Sequence, residues 1–169
     1  MIPTCRLTKN SLLTILIAFA SHSYAENSEK QLQLATEHFT IGCSDELLEK
    51  NFIGYFERLG IKGAASGDIS LAYGIPGYMA ATYYRKPLKC CISIKDMNFD
   101  RALNHFSQFF DLQHPKYSNN VNRKAVVFKP KRNDQLITMD WNSNQSGTSS
   151  ITNICRASSP QAELMYKKF

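Results

Sequence analysis

No apolar run in this sequence reaches the roughly 20 residues needed to cross a bilayer core as a helix. The one run that stands out, Leu12 to Ala20, is too short and lies at the start of the chain. A polytopic helical membrane protein is therefore excluded. The 169 residues carry 43% hydrophobic, 20% charged and 11% aromatic residues, with a mean hydropathy of −0.31. Those values leave no room for a collagen-like fibre, a coiled coil or a disordered tail, and they describe one ordinary globular domain. Also missing are C-x-x-C, H-E-x-x-H, a Walker loop and G-x-G-x-x-G. The stretch Gly63-Ala64-Ala65-Ser66-Gly67 has one residue too many before its serine for a nucleophile elbow. No catalytic residue, cofactor or metal is expected from such a chain.

What is present begins with export. Arg6 and Lys9 precede the apolar run, and Ser21-His22-Ser23-Tyr24-Ala25 follows it with small residues where a signal peptidase reads. Positive, apolar, small-residue order is that of a cleaved secretory leader spanning residues 1–25, with an uncleaved anchor as the rival reading. No cysteine follows the run in lipobox fashion. The expected location is the periplasm of a Gram-negative cell, or the medium otherwise, with no transmembrane span after cleavage.

Removing Arg6 and Lys9 with the leader lowers the net charge from +6 to +4. The excess is local. Lys116, Arg123, Lys124, Lys129, Lys131 and Arg132 lie in a stretch without a single acid, whereas Asp45, Glu46, Glu49 and Glu57 make an acidic segment. A basic stretch on an exported domain suits an anionic or acidic partner. Nucleic acid is not expected, because no aromatic-interleaved basic motif occurs.

Cysteine usage agrees with an oxidising compartment. Cys5 leaves with the leader, and Cys43, Cys90, Cys91 and Cys155 remain, an even number. Adjacent residues on a strand face opposite ways, which disfavours a Cys90–Cys91 bond. Two long-range bridges follow, joining Cys90 and Cys91 to Cys43 and Cys155 in either order. A zinc site with His38, His105 or His114 is the weaker alternative, since no ligand-pair spacing exists.

Residue patterns suggest two similar blocks. Glu37 to Cys43 alternates around Phe39 and Ile41 like a strand. Ser44 is a natural N-cap for a helix carrying Leu48, Phe52, Tyr55, Phe56 and Leu59 to a stop at Gly60. In the second block Leu88 to Lys95 is a strand. Asp96 or Asn98 caps a helix with Phe99, Leu103, Phe106 and Phe110 on one stripe. Three strands then follow: Lys124 to Lys129, Gln135 to Trp141 past a turn at Asn133-Asp134, and Ser149 to Cys155. The fold class is α+β, a mainly antiparallel sheet with two amphipathic helices packed on one face and held by disulfides. One domain is expected over residues 26–157, with a polar, frayed tail over 158–169.

Between the blocks, Gly60, Gly63, Gly67, Gly74 and Gly77 concentrate with Tyr73, Tyr78, Tyr83 and Tyr84, just before Arg85 and Lys86. The plain reading is a hairpin, Asp68 to Tyr73 with Tyr78 to Tyr84. Tyrosine and arginine also anchor binding surfaces, because they join large rigid area to a polar handle. Tyr78, Tyr83, Tyr84, Arg85 and Lys86 are therefore the expected partner contacts. Two functions fit. One is an exported, non-enzymatic binding protein acting on a protein partner in the cell envelope, as an inhibitor, an immunity protein or an assembly component. The other is a small envelope hydrolase acting on peptidoglycan or another anionic polymer.

Overall fold

A computed structural model describes residues 27–44, 46–67, 70–77, 79–110, 113–120, 122–129, 136–144 and 146–158. The leader, most of the tail, Tyr78, Lys131, Arg132 and the turn at Asn133-Asp134 lie outside the described residues. Three helices and eight strands follow in the order α1 (27–42), α2 (Glu49–Arg58), β1 (Gly63–Ser66), β2 (Ser70–Ile75), β3 (Met79–Arg85), β4 (Leu88–Lys95), α3 (Phe99–Phe110), β5 (Gln113–Asn120), β6 (Arg123–Lys129), β7 (Leu136–Ser143) and β8 (Ser150–Ala157). The class is α+β, mostly sheet. None of the described helices is long and apolar enough to cross a membrane.

All eight strands join one antiparallel sheet of order β1-β2-β3-β4-β8-β7-β6-β5. It is two four-stranded meanders, β1–β4 and β5–β8, joined where β4 pairs with β8. Helix α3 makes the crossover between them. Along β4 the alternation places Cys90, Ile92 and Ile94 on one face. The register aligns Ile92 with Ile154, Ile154 with Met139 and Met139 with Val126. That row is fully buried and forms the centre of the core, together with Leu32, Ala35 and Phe39 of α1, Phe52 and Phe56 of α2, and Ala102 and Phe106 of α3.

The first block departs from its expected form. Residues 37–43 are the end of a helix, not a strand. A seven-residue window shows alternation. Extending it back shows Leu32, Ala35, Thr36, Phe39 and Cys43 at spacings of three and four, and each of these is buried. Glu29, Lys30 and Gln33 are the exposed face of its first turns. Helix α2 begins at Glu49 rather than after Ser44: its N-cap, Leu48, has no side-chain bond. Leu48 and Leu59 are exposed rather than core residues. The two blocks are consequently not a repeat. Gly60 does end α2, at φ +71 with its amide on the Glu57 carbonyl. Gly42 serves a different need, because a Cβ there would meet the Phe56 ring at 2.8 Å, so only glycine lets α1 close onto α2.

The second half follows the sequence pattern closely. Strand β4 has the expected limits, and α3 is capped by Asn98, whose Oδ1 accepts the Arg101 amide at 3.0 Å. The three later strands are β6, β7 and β8. Strand β5 was not foreseen; its polar sequence QHPKYSNN carries no strand signature and gains order from pairing with β6.

The cysteines form Cys43–Cys90 and Cys91–Cys155. The first ties the end of α1 to the core face of β4. The second joins directly opposed residues of β4 and β8 on the other face. With sequence separations of 47 and 64, each is worth about 4 kcal/mol in the loop-entropy account. That other face also carries a polar ladder: Ser93 Oγ donates to Asn153 Oδ1 at 2.6 Å, and Asn153 Nδ2 donates to Asp140 Oδ1 at 2.8 Å.

Candidate functional site

The expected contacts at the end of β3 do not form one projecting loop. Strands β2 and β3 are the hairpin foreseen from sequence, but they lie within the sheet, between β1 and β4. Tyr83 is only 4% exposed, and its hydroxyl donates to the Leu47 carbonyl at 2.6 Å. Its ring lies 5.4 Å from that of Phe52, and burial raises the phenol above its ordinary pKa. Alternation along β3 decides this: residue 83 falls on the helix-facing side with Met79 and Ala81. Tyr83 is a core residue, not a surface contact.

Arg85 makes a bidentate pair with Glu49, Nε to Oε2 at 2.9 Å and Nη2 to Oε1 at 2.6 Å. That hydrogen bonding holds the Glu49 carboxyl below its ordinary pKa. The pair links β3 to the first turn of α2. Tyr84 is half-buried, with Lys89 Nζ 5.4 Å from its ring centre, and Lys86 is exposed in the following turn.

The described residues hold a better-formed concavity elsewhere. A groove of about 320 Å³ runs between α1 and α3, lined by Gln33, Thr36, Glu37, Thr40 and Ile41 on one side and His105 and Phe109 on the other. On α1, Gln33, Glu37, Thr40 and Ile41 recur at helical spacing on the exposed side while Thr36 is buried beneath them, and His105 and Phe109 are one turn apart on α3. Ile41 is 46% exposed and Phe109 58%, so two large apolar side chains border one cleft. Ordinary surfaces scatter such residues singly.

At its inner wall lies a hydroxyl–imidazole–carboxylate array. Thr36 Oγ1 is 2.9 Å from His105 Nε2, and His105 Nδ1 is 3.7 Å from Glu29 Oε1. Glu29 also meets Arg101 Nη2 at 3.4 Å. The order resembles an activated nucleophile, but the proton inventory argues otherwise. The Thr36 hydroxyl donates to the Leu32 carbonyl at 2.8 Å. With one proton, it accepts from His105 Nε2 whenever it serves that carbonyl. In that arrangement the imidazole donates to the hydroxyl and does not take its proton. The array fixes His105 and ties α3 to α1.

A second histidine, His38, is buried in a different place, with Nδ1 2.9 Å from the Tyr55 hydroxyl. Burial lowers its pKa, against a smaller opposing effect of Glu37. His114 lies on β5. Among the described residues no group of three or more His, Cys, Asp or Glu side chains gathers as a metal site would.

Sequence reading missed the groove because its walls lie 69 residues apart at the Thr36–His105 contact, and because α1 was not read as a helix. The signal was there in Phe109, which stands off the Phe99–Phe106 stripe and so had to face outward. No family model, curated protein or solved structure matches this chain.

Proposed function

We propose that this chain is an exported, non-enzymatic binding protein that holds a protein partner in the cell envelope through the α1–α3 groove. The observation that carries the reading is the pairing of exposed Ile41 and Phe109 across one open apolar cleft. Covering a phenylalanine or isoleucine gives about 1.5–3 kcal/mol, enough for two side chains to anchor an interface. Glu37 on the rim favours a partner that brings a basic residue beside its apolar one. Leader-like residues at 1–25 and two disulfides support export. Tyr84 and Lys86 supply a second, more polar contact patch. The hydrolase reading would need Thr36 to surrender its proton to His105, and the bond to Leu32 opposes that.

A photo-crosslinking residue in place of Gln33, at the groove wall, should capture one partner from living cells. Phe109→Ala and Ile41→Ala should each weaken that capture about tenfold with little change in melting temperature, while Tyr84→Ala has a smaller effect. The exported protein itself, measured uncrosslinked, should have the mass of residues 26–169. Capture unaffected by both groove variants would overturn the reading, and turnover of a cell-wall polymer that Thr36→Val abolishes would replace it with the hydrolase.

A further inference from the structure

The sheet has two faces, and the three described helices cover one of them. Their core takes in Ile92, Ile154, Met139 and Val126, while Val127 and Leu136 form a separate cluster on the opposite face. We propose that residues 160–169 form an amphipathic helix that packs on this second face, over Cys155, Thr138, Val127 and Leu136, and gives the domain a third layer. The inference is independent of the α1–α3 groove.

The burial of that face carries it. Strand pairing arranges the side chains in rows that run across β4, β8, β7 and β6. In the row of Cys91, Cys155, Thr138 and Val127 every side chain is buried, Cys155 and Val127 to 1% exposure. Ala157 and Leu136, paired in the next row, are buried too. At the far end of the same strands the row of Lys95, Ile151, Asn142 and Arg123 is exposed, Ile151 to 47%. Cys155 and Ile151 share a strand and a face, and each has a neighbouring strand on either side. Pairing within the sheet therefore does not account for the difference. A sheet face without a covering layer stays solvated, so the Ala157 end of this one is shielded from above. None of the described helices contributes to its cluster.

The chain delivers a segment to that place. It leaves β8 at Ala157, and the Ser158 amide still donates to the Leu88 carbonyl at 3.2 Å. Residues 159–169 follow directly, so covering this end needs no long connection. Their sequence is Ser-Pro-Gln-Ala-Glu-Leu-Met-Tyr-Lys-Lys-Phe. Serine followed by proline is the order of an N-cap and a first helical position. Glu163 near the start and Lys167 and Lys168 near the end suit the helix dipole. Ala162, Met165, Tyr166 and Phe169 recur at i, i+3, i+4 and i+7, which puts them on one side of a helix. Ten residues make a helix about 15 Å long, and four neighbouring strands measure about 14 Å across, so the apolar side matches the buried row in length. A helix this short is marginal alone in water, and packing on the sheet supplies what it lacks.

Leu164 falls on the opposite side of that helix, which makes it the control. In the purified, oxidised protein Met165→Ala and Tyr166→Ala should each lower the melting temperature by at least about 5 °C, and removal of residues 160–169 by more. Leu164→Ala, a truncation of similar size, should stay within about 2 °C of the parent. A photo-crosslinking phenylalanine in place of Tyr166 should attach, within the same molecule, to residues 125–127, 136–138 or 155–157, located by peptide mapping. That measurement decides the matter even where a destabilised variant fails to fold. Parent-like melting of both stripe variants, an equal loss in Leu164→Ala, or attachment to the helices, to a second molecule or to nothing would overturn the proposal.

Discussion

Replacing Tyr83 by phenylalanine separates a core tyrosine from a contact tyrosine with the loss of a single oxygen. The phenyl ring keeps its place beside Phe52, but the 2.6 Å bond to the Leu47 carbonyl disappears. Leu47 is buried and holds a positive φ of 47°, in the short connection from α1 to α2, so its carbonyl gains no easy replacement partner. A typical hydrogen bond contributes about 1 kcal/mol net, and a buried acceptor left without a donor costs about 1–3 kcal/mol. Tyr83→Phe should therefore lose about 1–3 kcal/mol. Tyr83→Ala, which also opens a cavity, should lose about 3–5 kcal/mol. Urea unfolding followed by Trp141 emission and by circular dichroism measures both. The expected result is a lowered midpoint at constant slope, with melting temperature falling on the order of 4 °C per kcal/mol. Unchanged stability in Tyr83→Phe would refute the reasoning, because it would place the hydroxyl in water.

Two further outcomes follow from the core. Phe52→Ala and Phe106→Ala should each cost about 3–5 kcal/mol, since both rings are fully buried, and soluble yield should drop accordingly; parent-like melting would contradict the core assignment. His38 is held neutral by burial, with a folded pKa below its ordinary 6.5. Its unfolded form takes up a proton first, so stability should decline as pH falls below about 6.5 and level off once the folded form also titrates. His38→Gln should flatten that decline in melts between pH 7 and 5, and an unchanged slope would show that another group is responsible.

The legible parts of the fold were those where local pattern and tertiary environment agree. Strand β4 was legible because its Ile92 and Ile94 face a core, and α3 carries an apolar stripe over twelve residues with a cap just before it at Asn98. That Cys90 and Cys91 do not bond each other was legible because adjacent strand side chains face opposite ways, but which of them meets Cys43 and which Cys155 was left open by the sequence and is set by the fold. Elsewhere the determinants are not local. Strand β1 is Gly-Ala-Ala-Ser and β5 is polar, so neither shows in sequence; pairing with a neighbour makes them strands. Helix α1 was obscured because its seven-residue end alternates. The candidate groove required that helix to be right. Composition identified tyrosine and arginine near residue 83 as contact material, but the pleat assigned Tyr83 inward, and Glu49 of α2 engaged Arg85.

The adjacent pair Cys90–Cys91 makes strand register a covalent matter. Sliding β4 by one residue would turn Cys91 toward Cys43 and Cys90 toward Cys155, while exchanging the inward and outward side chains of the whole strand. The slipped chain would have the same mass, the same number of bridges and no free thiol. It would differ only in which sulfurs are joined. Oxidation before β4 settles can lock the wrong face inward, and only thiol exchange can release it. Connectivity mapping of refolded protein is therefore an assay of sheet alignment, and a disulfide isomerase acting on this chain would be correcting strand position.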